Sequence, residues 1–238
     1  MRFETVARTH IGCRRKTNED AMLSRPDLGL WAIADGMGGH EAGEVASALV
    51  VEKLGQASQG LDPDARATQV RAALADANRE LWRMTAESAS RAIGSTIVAV
   101  VAKPKVFTCL WAGDSRAYLA RDGELRQLTR DHSLVQQLVD TGDLDPRAAA
   151  EHPNANIITR AVGTAPRLEL DSVEGDIRAG DAFLLASDGF TRLIQEEEML
   201  AALQADDLER MADSLVETCL ARQAPDNLTF VVLRVPAG

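Results

Sequence analysis

The chain is 238 residues long, 45% hydrophobic and 26% charged, with a formal net charge of −10. That length allows one large domain with a substantial core, and the acidic balance lacks the basic footprint that nucleic acid binding needs. Cys13, Cys109 and Cys219 are widely spaced and form no CxxC pair, which argues against a disulfide framework or a zinc site and for a reducing compartment. Met1-Arg2-Phe3-Glu4-Thr5 carries no apolar signal-peptide core, and no apolar run nears the roughly 20 residues needed to cross a bilayer. The expectation is a cytoplasmic monomer without membrane insertion.

In chain order, Leu30–Ala34 is the first strand-like run. A helix follows over Ala42–Leu54, where Val45, Ala46, Leu49, Val50 and Leu54 recur at helical spacing. A second spans Ala65–Met84 through Val70, Ala73, Leu74, Ala77, Leu81 and Met84. Thr96–Ala102, Val106–Ala112 and Ala117–Ala120 read as strands, and Arg121-Asp122-Gly123 as a hairpin turn. From Asp131 to Gly163 the pattern breaks: after a short helix over Leu134–Val139 come turn-rich segments, either a substrate-contacting lid or a solvated excursion. Ala182–Ala186 and Leu228–Val235 are strands flanking a helix marked by Leu208, Met211, Ala212, Leu215, Val216 and Cys219. No repeat or Pro/Gly/Ser linker divides the chain, so one domain over 1–238 is expected.

Four aspartates close or open these apolar runs: Asp35, Asp114, Asp188 and Asp226. One such residue is an ordinary turn. Four of them, gathered at one edge of a sheet, would repel each other unless cations sat between them, and oxygen-only ligands favour Mg²⁺ or Mn²⁺. Asp35 is followed by Gly36, Gly38 and Gly39, which let a backbone approach a ligand closely and expose its carbonyls. Upstream, Arg14, Arg15 and Lys16 stand beside Glu19 and Asp20, a charge pattern suited to gripping an anion next to metal.

Together these segments resemble a family. Arg15-x-x-x-Glu19-Asp20, Asp35-Gly36-Met37-Gly38-Gly39-His40, Gly94-Ser95-Thr96, Gly113-Asp114-Ser115-Arg116, Asp131-His132-Ser133, Ser187-Asp188-Gly189 and Asp226-Asn227 occur in the order of the PPM/PP2C-type metal-dependent protein Ser/Thr phosphatases, in their compact bacterial form. The resemblance runs from about Gly12 to Val235. It implies an α+β fold, a four-layer α-β-β-α sandwich with two central antiparallel sheets. It also implies that Asp35, the Gly36 carbonyl, Asp188 and Asp226 hold two Mn²⁺ or Mg²⁺ ions, with Asp35 bridging. Glu19 would order water from behind the ligands, with Asp20 in support, and Arg15 would bind the substrate phosphate. Asp114, with Asp188, would contribute to a third, weaker ion site. The implied activity is hydrolysis of phosphoserine or phosphothreonine on partner proteins by a metal-activated water, opposing a Ser/Thr kinase. The 131–163 stretch corresponds to the family's variable flap.

Two positions depart from the family pattern. Arg192 stands where many members carry an aspartate of the third ion site, which counts against a third ion here. Met37 stands where animal relatives place a histidine proposed as general acid, so no general acid is assigned. His40 is read as ordering its loop and His132 as structural. Ser95, Ser115 and Ser187 lie outside any Gly-x-Ser-x-Gly elbow, which disfavours a serine hydrolase. The alternatives are a catalytically weak phosphopeptide-binding pseudophosphatase, for which Arg192 is the single hint, and a metal-dependent phosphodiesterase or nuclease, which the acidic balance disfavours.

Overall fold

A computed structural model describes residues 3–38, 42–57, 65–87, 92–149 and 152–236. Its strands are β1 (Glu4–His10), β2 (Asp20–Arg25), β3 (Leu30–Met37), β4 (Gly94–Ser95), β5 (Ile97–Ala102), β6 (Val106–Ala112), β7 (Arg116–Arg121), β8 (Glu124–Gln127), β9 (Asp171–Asp176), β10 (Ala182–Ala186) and β11 (Leu228–Arg234). The α-helices are α1 (Ala42–Ala57), α2 (Arg66–Glu87), α3 (Leu134–Thr141), α4 (Asp188–Thr191), α5 (Glu196–Leu203) and α6 (Leu208–Ala221). One sheet runs β1-β11-β10-β7-β8, and the other β2-β3-β5-β6-β9 with β4 paired to β3. All pairings are antiparallel.

Alternation along each central strand builds the layers. Trp31, Ile33, Val98, Val100, Phe107 and Trp111 meet Leu119, Phe183, Leu185, Val231 and Leu233 in a core between the two sheets. The opposite faces of the same strands, through Leu30, Ala32, Ala99 and Leu110, pack under α1 and α2. On the other sheet, Tyr118, Leu184, Phe230 and Val232 pack under α5 and α6. The central strands are therefore apolar on both faces, which is why they read as unbroken hydrophobic runs. The chain forms the expected four-layer α-β-β-α sandwich.

The four sheet edges are β1, β2, β8 and β9; of these only β8 was implied, by the Arg121-Asp122-Gly123 hairpin turn that joins it to β7, while β1, β2, β9 and the two-residue β4 were not expected. An edge strand needs only one apolar face and one bonded neighbour, so Glu4–His10, Asp20–Arg25, Glu124–Gln127 and Asp171–Asp176 carry too many polar residues to stand out. The short helices α4 and α5 were missed for a related reason. The first has a single turn, and the second opens on three glutamates stabilised by a Gln195–Glu198 capping box. The helix expected to end at Val139 continues to Thr141, with Ser133 as N-cap and Gly142 closing it in the left-handed conformation.

Candidate metal centre and active site

The ends of β3, β6 and β10 and the starts of β2 and β11 share one edge of the sandwich. Asp20 lies opposite Asp35 across the β2–β3 pair. Asp114 follows β6, Asp188 opens α4 after β10, and Asp226 precedes β11. Each aspartate is held by its backbone neighbours. The Asp35 N–H donates to Thr96 Oγ1 at 3.0 Å, and the Thr96 N–H returns to the Asp35 carbonyl at 2.8 Å. Thr96 Oγ1 in turn shares a hydrogen bond with Ser115 Oγ at 2.8 Å, tying the Asp35 strand to the Asp114 loop. Ser187 Oγ donates to Asp20 Oδ2 at 2.9 Å and accepts from the Thr229 N–H at 3.0 Å, which joins β2, β10 and β11 beneath Asp188.

Asn227, visible in the sequence only as the second member of the Asp226-Asn227 motif, is the fastener. Its Oδ1 accepts from the Glu19 N–H at 2.8 Å, while its Nδ2 donates to the Ile11 and Thr17 carbonyls at 2.9 and 3.0 Å. One side chain thus pins the whole loop that carries Arg15 and Glu19 to the Asp226 strand. The Asp226-Asn227 pair is visible in the sequence, but a threefold bond to residues more than 200 positions away is not. Two glycines make the approach possible. A Cβ on Gly36 would lie 1.9 Å from the Gly43 carbonyl oxygen, and one on Gly189 would lie 1.9 Å from the Asn227 carbonyl oxygen.

The electrostatics follow from crowding. Burial, then the charges of Asp20, Asp188, Asp114 and Asp226, push the Asp35 carboxyl well above the usual carboxylate range. Burial pushes Asp20 and Asp114 each up to about 7, with Asp188 adding in both cases. Asp188 is also raised by burial, against the opposing pull of Arg192. Glu19 is raised mainly by burial and held down in part by Arg15. Asp20 Oδ1 and Asp114 Oδ1 are buried and have no hydrogen-bond partner. Groups in this condition call for a cation.

Three arginines border the cluster. Arg15 Nη2 contacts Asp226 Oδ2 at 2.6 Å and its Nη1 lies 3.8 Å from Glu19 Oε2. Arg192 Nη2 contacts Asp188 Oδ2 at 2.8 Å and also lowers the Asp114 carboxyl. Arg116 grips Asp131 with Nε at 3.0 Å from Oδ1 and Nη2 at 2.7 Å from Oδ2. Every residue named from the sequence as a site candidate therefore lies at this edge: Arg15, Glu19, Asp20, Asp35, Gly36, Asp114, Asp188, Asp226 and Arg192. His40 lies outside the described residues. His132 accepts from the Gly113 N–H at Nδ1 (3.1 Å) and stacks on Trp111, so it braces the Asp114 loop. Ser95, Ser115 and Ser187 are buried, the first donating to the Asp35 and Thr96 carbonyls and the other two held in the bonds just described, which removes them as nucleophiles.

Donors that are all oxygen suit a hard divalent ion. Among the described residues no three His, Cys, Asp or Glu side chains close into a ready-made cage. An ion here would rest on one or two carboxylates, with carbonyls and water completing its shell, as Mg²⁺ commonly does.

The family model Protein phosphatase 2C matches residues 9–230. The chain belongs to this family. It is 37% identical over 231 residues to the serine/threonine protein phosphatase PstP of Mycobacterium tuberculosis, an alignment covering 97% of this chain and 44% of that protein. The chain thus spans less than half the length of that relative. Among solved structures, PppA, a key regulatory component of T6SS in Pseudomonas aeruginosa, superposes with a TM-score of 0.91 at 39% identity, with 98% of each chain covered. The catalytic domain of PstP in complex with two manganese ions superposes with a TM-score of 0.89 at 35% identity, again over 98% of each chain. Among the described residues no helix is long and apolar enough to cross a membrane.

Proposed function

We propose that this protein is a Mn²⁺- or Mg²⁺-dependent phosphatase that hydrolyses phosphoserine and phosphothreonine on partner proteins, opposing a Ser/Thr kinase in the cytoplasm. The observation that carries this reading is the meeting of Asp35, Asp114, Asp188 and Asp226, from four separate strand ends, with Arg15 alongside. The free state of all three described cysteines agrees with a reducing compartment. The likeness to the manganese-bound PstP domain supports the metal. Phosphoproteins of a T6SS are the first substrates to try, given the likeness to PppA.

In this reading Asp35, the Gly36 carbonyl, Asp188 and Asp226 hold two ions. When bound, such a pair lowers the pKa of water and neutralises charge on a phosphoryl group. The chain's own residues do the rest. Arg15, with its side chain 47% exposed beside Asp226, offers a planar fork to two phosphoryl oxygens. Glu19, held through its N–H by Asn227, orients water at the rim. Asp20, fixed by Ser187, supports it from below. Positioning and electrostatic stabilisation are what phosphoryl transfer mainly requires. Arg192 already sets a cation against Asp188 and beside Asp114, so two ions are proposed and a third is not.

The test is phosphate release from a phosphothreonine peptide with Mn²⁺, without it and after chelation. Turnover should depend on metal and fall by several orders of magnitude in Asp188→Asn. Wild-type rates in that variant would refute the site. Calorimetry that finds two bound Mn²⁺ per chain with no turnover would shift the reading to the pseudophosphatase, for which the Arg192–Asp188 contact is the one structural argument.

A further inference from the structure

A cavity of about 280 Å³ opens directly beside the aspartate cluster. Asp114 and Asp188 line it, so it is continuous with the site, and Val135, Pro146 and Ala149 of the 131–163 segment give it apolar lining. Its charges are unequally committed. Arg116 is engaged on both oxygens of Asp131 and, through Nη1, on Tyr118 Oη at 3.3 Å. That pair cancels itself. Asp114 and Asp188 face the ions if the proposed function holds, and the present inference rests on that reading. Arg192 remains. Its side chain is 41% exposed and its described partner is a single oxygen, Asp188 Oδ2. A guanidinium carries five N–H donors, so most of this one is left for a ligand in the cavity.

We propose that Arg192 and this cavity read an acidic side chain close to the phosphorylated residue, so that the preferred substrates are phosphopeptides with Glu or Asp flanking the phosphoserine or phosphothreonine. The apolar lining suits the methylene stem of a glutamate, and the fork of Arg192 suits its carboxylate. Anchored by one nitrogen to Asp188, four residues earlier, the guanidinium is held at the junction of cavity and phosphate site. A flanking residue is only about 3.3–3.6 Å further along an extended peptide, so it arrives at the cavity while its neighbour is in the site.

The experiment compares phosphothreonine peptides carrying Glu, Gln or Lys at each of the two positions on either side of the phosphoresidue, with p-nitrophenyl phosphate as a substrate that has no flank. At one position Glu should exceed Lys by about tenfold in kcat/KM, through KM, the size of one charge-assisted contact. Arg192→Gln should flatten that ratio and Arg192→Glu should reverse it. Because the ratio is taken within one variant, any general loss of rate through Asp188 cancels. Metal-dependent hydrolysis of p-nitrophenyl phosphate with no Glu preference at any position, or with a preference untouched in Arg192→Gln, overturns the inference and leaves the phosphatase reading intact. Absence of all turnover with metal refutes the phosphatase reading instead. The acidic preference is then decided by fluorescence anisotropy of the same labelled peptides, where equal binding of the Glu and Lys peptides overturns it.

Discussion

At the scale of single residues, this protein separates groups that carry charge from groups that hold them in place. Arg15 is exposed and tethered at one end to Asp226, which under the proposed function leaves it to grip an incoming phosphate. Arg15→Ala should therefore raise KM for a phosphopeptide by about tenfold or more while leaving the melting temperature within a degree or two, since exposed ion pairs contribute roughly 0–1 kcal/mol. Steady-state kinetics and a thermal melt on the same sample check both halves, and an unchanged KM would remove Arg15 from the phosphate site. Asp35, Asp114, Asp188 and Asp226 could be named from their place at the ends of apolar runs. Asn227 and Thr96 could not be given their roles, because a hydrogen bond to a distant backbone leaves no local trace.

At the scale of elements, the site depends on very close packing between short pieces of backbone. The single turn of α4 begins at Asp188 and lies against the start of β11, where Gly189 leaves no room for a side chain beside the Asn227 carbonyl. Gly189→Ala should push α4 away from that strand and spread Asp188 from Asp226. The expected outcome is a weaker Mn²⁺ affinity, by about tenfold or more, together with a destabilisation of roughly 1–3 kcal/mol typical of overpacking. Calorimetric titration with Mn²⁺ reads the first effect and urea unfolding the second. A variant with unaltered metal affinity would show that the α4–β11 contact does not set the site. The central strands β3, β5, β6, β10 and β11 were legible because burial on both faces imposes continuous apolar residues. The edge strands were not, since their structure comes from a partner.

At the scale of the molecule, the aspartate cluster works against the stability of the fold that assembles it. Asp20 and Asp114 are raised to about 7 from an ordinary 3.8, so the folded chain binds more protons than the unfolded chain between those values. Stability therefore falls as pH rises through that window. With a chelator present, the melting temperature should be lower at pH 7.5 than at pH 5.5. Added Mn²⁺ should raise it more at pH 7.5, because ligands must be deprotonated to bind metal. Carboxylates with lowered values, such as Glu198 at about 2 beside Arg222, change charge below this window, and His132, lowered by burial, acts in the opposite sense within it but is one group against two. Chelated protein that melts higher at pH 7.5 would mean that the cluster is not strained by its own charge.

The central strands, the helices α1, α2 and α6, and the four aspartates at strand ends are written locally in the chain. Hydrophobic periodicity and turn chemistry are properties of a few neighbouring residues and need no partner to be read. Which strands form the sheet edges, that the strand ends share one rim, and that Arg192 lines the cavity in contact with Asp188 emerge from the folded chain alone. Those outcomes depend on strand order and register across the whole chain. A carboxylate becomes buried, raised and ready for a cation only when residues far apart in sequence crowd around it.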